Sequence, residues 1–178
     1  MSNRTIEIHA LNSAQLVVTK NDLDLEIRHH SIETLNSVVV HLIDLALACK
    51  HAHWNVRGPN FMSFHALFDK AFEELIEQID ILGERATALG GVARGTVQTV
   101  AGGTRLKPYP VFSVSEQEHI EQLAMRLGQL GRQIRVAATG ADGRGDIVTA
   151  DVLVQASAAV DSLLWRIESH AVPPIGTA

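Results

Sequence analysis

Lysine is scarce in this sequence, standing at only four of 178 positions, and basic residues nowhere cluster. With a formal net charge of −5 the chain offers no electrostatic footprint for a phosphate backbone, so multivalent cations are the more natural partners. Cysteine is scarcer still. Cys49 stands alone in a strongly apolar stretch, which excludes an intramolecular disulfide and fits a reducing cytoplasm. No secretory leader is expected either, because "MSNRTIEIHALNSAQLVV" has no basic segment followed by an unbroken apolar block. No run approaches the ~20 apolar residues that span a bilayer, so a soluble protein without membrane contact is expected. Aromatics make up 4%, too few for a sandwich of aromatic and β-branched strands.

What the chain does have is Ala, Leu, Ile and Val, within a hydrophobic content of 46% that suffices for one continuous core. An all-α fold follows from how they are spaced. Residues 1–21 show no sustained period and read as an N-terminal extension. Ile32, Leu35, Val39, Leu42, Ala46, Cys49 and His53 then recur at spacings of three and four, the stripe of a helix that Gly58-Pro59 ends. Asn60 is the expected N-cap of a second helix, striped by Phe61, Phe64, Phe68, Phe72, Leu75, Ile79, Leu82, Ala86 and Leu89 and stopped by Gly90-Gly91. Residues 91–114 form a long connection with room for a short helical turn near Val97. Ser115 and Glu118 make a capping box for a third helix through Ile120, Leu123, Leu127, Leu130 and Ile134. The segment "TGADGRGD", residues 139–146, reads as a loop. Val148, Val152, Ala156, Ala159, Leu163 and Ile167 mark a fourth helix, closed by Pro173-Pro174. The expected architecture is a ferritin-like four-helix bundle over 22–170 with one crossover, and a C-terminal tail over 171–178.

The stretch "HAHWNVRGPNFMSFHALFD" gathers potential metal ligands on both sides of the first turn. His65 and Asp69 stand four apart, as do Asp80 and Glu84, so each pair projects from one helix face. Surface decoration is the plain alternative, though for Asp80 and Glu84 it sets like charges side by side unless a cation lies between them. His53 lies five residues before Gly58 and His65 five after Asn60, which places them in one layer of an antiparallel hairpin. From the middle of the first pair to the middle of the second is 15 residues, about 22 Å along a straight helix. Ligands must converge within about 2.0–2.6 Å of an ion, so one chain cannot close this site. Two chains can, if their second helices cross antiparallel near Phe72 to Leu75 on a two-fold axis. Imidazole with carboxylate suits iron, manganese or zinc. Glu26/His29 and Glu116/His119 have the Glu-x-x-His spacing of an intra-bundle iron site, yet both fall near first helical turns, where capping accounts for the acid. His9, His29, His30 and His41 read as surface residues, and His51 points about 160° away from His53.

With these ligands in place, "HAHWNVRGPNF", "FHALFD", "DILGERATALGG" and "LLWRIES" resemble the Dps family of mini-ferritins, named for DNA protection during starvation, over about Asn21 to His170. The resemblance implies a hollow dodecamer built from two-fold dimers, with a short extra helix in the long connection. It implies ferroxidase sites between subunits, with His53, His65 and Asp69 from one chain and Asp80 and Glu84 from its partner. The reaction implied is oxidation of Fe(II) by hydrogen peroxide, or more slowly dioxygen, with ferric mineral stored inside and protection from oxidative stress. Trp54 resembles a scavenger of stray oxidising equivalents, and Asp146 and Asp151 resemble the acidic lining of three-fold iron pores. The family's DNA-condensing members carry lysine-rich tails, whereas residues 1–30 here set Arg4, Lys20 and Arg28 against Glu7, Asp22, Asp24 and Glu26, a balance of −1. Direct DNA binding is therefore expected to be weak or absent, with nucleoid association only if DNA binds. The alternative function is a non-catalytic DNA-compacting or scaffold shell.

Overall fold

A computed structural model describes residues 16–170; His9 and the Pro173-Pro174 stop lie outside the described residues. Five helices follow in order: α1 (Leu25–Asn55), α2 (Phe61–Ala88), α3 (Val97–Gly103), α4 (Glu116–Gly143) and α5 (Ile147–Glu168). The four long ones form the bundle. α1 pairs with α2 and α4 with α5 as hairpins, α1 also meets α4 and α2 meets α5, and α3 rides on the outside of α1. The core is mostly aliphatic, with Leu35, Leu42, Leu75, Leu82, Leu123, Leu130, Leu153 and Leu163 fully buried between the hairpins and Phe64 and Phe68 buried among them. All seven positions of the expected α1 stripe are buried, as are all five of the expected α4 stripe.

Helix ends are where pattern and structure part. Asn60 precedes α2, but its side chain caps nothing; the Glu116 carboxylate, from the start of α4, accepts from the Asn60 amide at 2.7 Å and its side-chain amide at 3.2 Å. Arg57 N donates to Val114 O at 2.8 Å in the same place, so the crossover is fastened to the α1–α2 turn. Ser115 caps α4 as expected, its hydroxyl accepting from Glu118 N. At the far end of α2, Gly90 takes φ +88, and a Cβ there would stand 2.5 Å from the Val17 carbonyl, so only glycine fits the stop. The segment 139–146 is not the expected loop: α4 continues to Gly143, because Ala138 and Ala141 prolong its apolar stripe. In α5 the buried line runs through Leu153, Ala156, Val160, Leu163 and Ile167, leaving Val148 exposed and Val152 and Ala159 at the margin.

Two helices depart from the expectation about apolar runs. α1 and α5 each hold a window of mean hydropathy 1.5, long and apolar enough by composition to cross a bilayer. Asn36, Ser37 and His41 interrupt the apolar run in α1 without lowering its mean enough. That window is 67% buried within the bundle, as a core helix must be, whereas the α5 window is 39% buried. Ile147, Val154 and Trp165 are left exposed on α5.

Candidate metal centre

His53 sits in the last turn of α1 and His65 in the second turn of α2, and the hairpin brings their rings into a stack with centroids 3.7 Å apart. His53 Nδ1 lies 2.7 Å from the His65 carbonyl and His65 Nδ1 2.8 Å from the His53 carbonyl. A carbonyl only accepts, so both Nδ1 atoms carry a proton, and in the neutral ring this leaves the lone pair on Nε2. The reciprocal pair thus sets the tautomer that a metal ligand needs. Asp69, one turn beyond His65, places Oδ1 4.0 Å from His53 Nδ1. Its carboxylate is hydrogen-bonded by the Lys50 ammonium, which also lies 5.1 Å from the centre of the Phe72 ring. That hydrogen bond holds the Asp69 carboxyl below the usual carboxylate range, so the anion is already formed.

Asp80 and Glu84 lie further along α2, both exposed, and line an outward groove with Val39, Ile43, Ile76 and Gly83. Among the described residues, no three metal-capable side chains converge within the chain. The structure stacks His53 on His65 and sets Asp69 beside His53 without converging the three on one point, and it leaves Asp80 and Glu84 in a separate groove. Sequence reading missed Lys50, although its place three residues before His53 puts it in the same layer.

The remaining candidates scatter. Trp54, next to His53, is 68% exposed. Asp151 is exposed and receives Gln155 Nε2 at 2.8 Å, in a groove between α4 and α5 that Asp142, Arg135 and Asp161 also line. Asp146 does not share that groove. It is buried and caps α5 from Thr149 N at 3.0 Å, while accepting from Ser31 Oγ at 2.6 Å, Thr149 Oγ1 at 2.6 Å and Arg85 at 2.8 Å. Both carboxylate oxygens are thus engaged within the chain, whereas Asp151 is the one of the two that is exposed. His41 is another correction: it is buried, with Nδ1 2.5 Å from the Ser37 carbonyl and Nε2 accepting from Arg105 N at 3.2 Å. His29 is half-buried and not without partners, whereas His30 is exposed beside Glu26. Glu116 and His119 share no ion, since the acid caps α2 and the imidazole is fully buried against Tyr109.

The bundle with its crossover has the ferritin-like architecture, and residues 32–172 match the ferritin-like domain family. The DNA protection during starvation protein of Agrobacterium fabrum is 40% identical over 152 residues, 85% of this chain and 94% of that one. The fine tangled pili major subunit of Haemophilus ducreyi is 30% identical over 142 residues, covering 80% and 75%. DpsC of Streptomyces coelicolor superimposes with a TM-score of 0.86 at 27% identity, over 92% of this chain and 96% of that one. The chain belongs to the Dps family.

Proposed function

We propose that the protein oxidises Fe(II) with hydrogen peroxide, or more slowly dioxygen, at sites shared by two-fold-related subunits, and stores the ferric product in a hollow cytoplasmic dodecamer. One observation carries this reading: two imidazoles held with free Nε2 lone pairs beside an anionic carboxylate, a set that needs further anions to close around an ion. Asp80 and Glu84 are an i,i+4 acid pair that could supply them, yet they stand about 22 Å along the same helix. An antiparallel copy of α2 brings them to the half-site. The faces that such a copy would cover are apolar where a lone chain should be polar: Leu47 is 55%, Met62 72% and Ile76 44% exposed.

The chemistry follows from the electron count. Two Fe(II) ions, hydrogen peroxide and two protons give two Fe(III) ions and two waters, so the oxidant is consumed without releasing hydroxyl radical. Asp69 and Glu84 supply the negative charge that favours Fe(III), while His53, His65 and Asp80 complete the shell. The donors also suit zinc or manganese, which would act as competitors. Asp151 would lead cations in from the surface, and Trp54 would take up stray oxidising equivalents near the site. Direct DNA binding is weak in this reading.

Stopped-flow oxidation tests it. Peroxide should consume two Fe(II) per peroxide, and His65→Ala with Asp69→Ala should slow the fast phase at least about tenfold while the shell stays assembled. An unchanged rate would mean that the site assignment is wrong, whereas a wild-type protein with no peroxide-coupled fast phase at all would support a non-catalytic scaffold, the reading that a relative named for pili favours.

A further inference from the structure

Tyr109 is the only tyrosine in the chain, and its placement is unusual for a loop residue. Its hydroxyl lies 2.8 Å from His119 Nδ1, the two rings are nearly coplanar at 14°, and the His119 side chain is fully buried. His119 Nε2 has no hydrogen-bond partner among the described residues. The Arg126 guanidinium, itself buried, sits 4.8 Å from the centre of the Tyr109 ring and is fixed there by the Lys107 and Pro108 carbonyls.

These groups border the half-site from the other side of α1. Tyr109 meets the His51 ring edge-on at 5.4 Å, and His51 is two residues from His53 on the opposite face of the helix. His119 meets Phe68 at 6.0 Å, and Phe68 immediately precedes Asp69. The phenol thus stands about one helix diameter, ~10–12 Å, from the proposed iron ligands, with packed rings between.

We propose that Tyr109 is an internal electron donor to the metal site, with His119 as its proton acceptor. The inference rests on the proposed peroxide reaction and concerns what happens when only one Fe(II) is present. Peroxide then takes one electron from iron and a second from Tyr109, whose proton passes to His119 Nδ1. Fe(II), hydrogen peroxide, the phenol, the neutral imidazole and two protons give Fe(III), two waters, a neutral phenoxyl radical and an imidazolium. The surroundings suit this coupled step. A guanidinium against the ring penalises a tyrosine that has lost an electron but kept its proton, so a base is required within hydrogen-bond reach. Burial, then the neighbouring His51, keep the His119 pKa below the ordinary histidine value, so the imidazole is neutral and ready to accept. Burial holds the phenol protonated until that moment. Trp54, exposed on the surface, has no such acceptor among the described residues; Tyr109 is half-buried against the core, with its acceptor His119 fully buried.

The test is electron paramagnetic resonance of the assembled protein, loaded with one Fe(II) per half-site pair and freeze-quenched after peroxide. A tyrosyl signal is expected that narrows with ring-deuterated tyrosine and vanishes in Tyr109→Phe. Because phenylalanine lacks only the hydroxyl, the fold should be retained, as circular dichroism will check. His119→Gln keeps a hydrogen-bond acceptor but takes no proton, so it should cut the radical yield at least fivefold while iron oxidation continues. Iron oxidation without any tyrosyl signal, or a radical insensitive to tyrosine deuteration, overturns the inference and leaves the proposed function standing. Absence of iron oxidation overturns both.

Discussion

Lys50 is the residue whose effect is simplest to read. Its ammonium is hydrogen-bonded to Asp69, so an arriving cation has to displace it. Lys50→Met retains a flexible apolar stem over Phe72 and removes the charge, and should tighten Fe(II) binding about two- to fivefold in anaerobic calorimetry. The pH dependence should move as well. Wild-type Asp69, held below its ordinary value of 3.8, stays anionic as pH falls through that value, and metal binding by this ligand is lost only lower. Without Lys50 its pKa returns upward, so binding should fail at higher pH in the variant. Weaker binding in Lys50→Met would mean that the lysine recruits iron instead. The partnership of His53 with His65 was legible from their equal distances to the turn, because a hairpin converts sequence symmetry into a layer. Lys50, Tyr109 and His119 were not, since a polar residue at a buried position leaves no mark in an apolar period.

At the scale of elements, a single carboxylate fastens three helices. Asp146 caps α5, accepts from Ser31 on α1 and pairs with Arg85 on α2. Burial would raise its pKa, but the Ser31 and Thr149 hydroxyls, the Thr149 amide and Arg85 outweigh that and hold it below 3.8. A depressed folded-state value contributes stability that is complete above the unfolded pKa and lost as pH falls through the folded one. Asp146→Ala leaves Arg85 without its partner and should cost about 3–5 kcal/mol. Thermal unfolding should show this deficit at pH 7 and a narrowing gap below about pH 4, as wild type loses the same interaction. A gap that stays constant down to pH 2 would contradict the linkage. Long stripes on α1 and α4 were legible because each faces one core, and the α5 line slipped because its exposed face is apolar too. The end of α4 was hidden by Gly140 and Gly143, which resemble a loop until Ala138 and Ala141 are seen continuing the stripe. His41 was misread as exposed because α3 covers a second face of α1, which no single stripe reveals.

For the whole molecule, charge and assembly decide. In the proposed dodecamer, twelve chains at −5 would carry 12 × (−5) = −60, which would repel phosphate except where divalent ions bridge. A gel shift at about 150 mM salt without divalent ions should show no binding tighter than about 10⁻⁶ M, and a micromolar or tighter complex would contradict it. In the proposed assembly one sequence holds its site in halves, and that separation can be measured directly. One chain carries His65→Ala with Asp69→Ala, and the other Asp80→Ala with Glu84→Ala. Assembled alone, each should be nearly inactive, because every site lacks one half. Co-expressed and co-assembled at random, half the two-fold pairs are mixed, and each mixed pair regains one intact site, so about a quarter of the wild-type fast ferrous oxidation should return. If the mixture is as inactive as its two parents, the ligands belong to a single chain and the shared site is wrong.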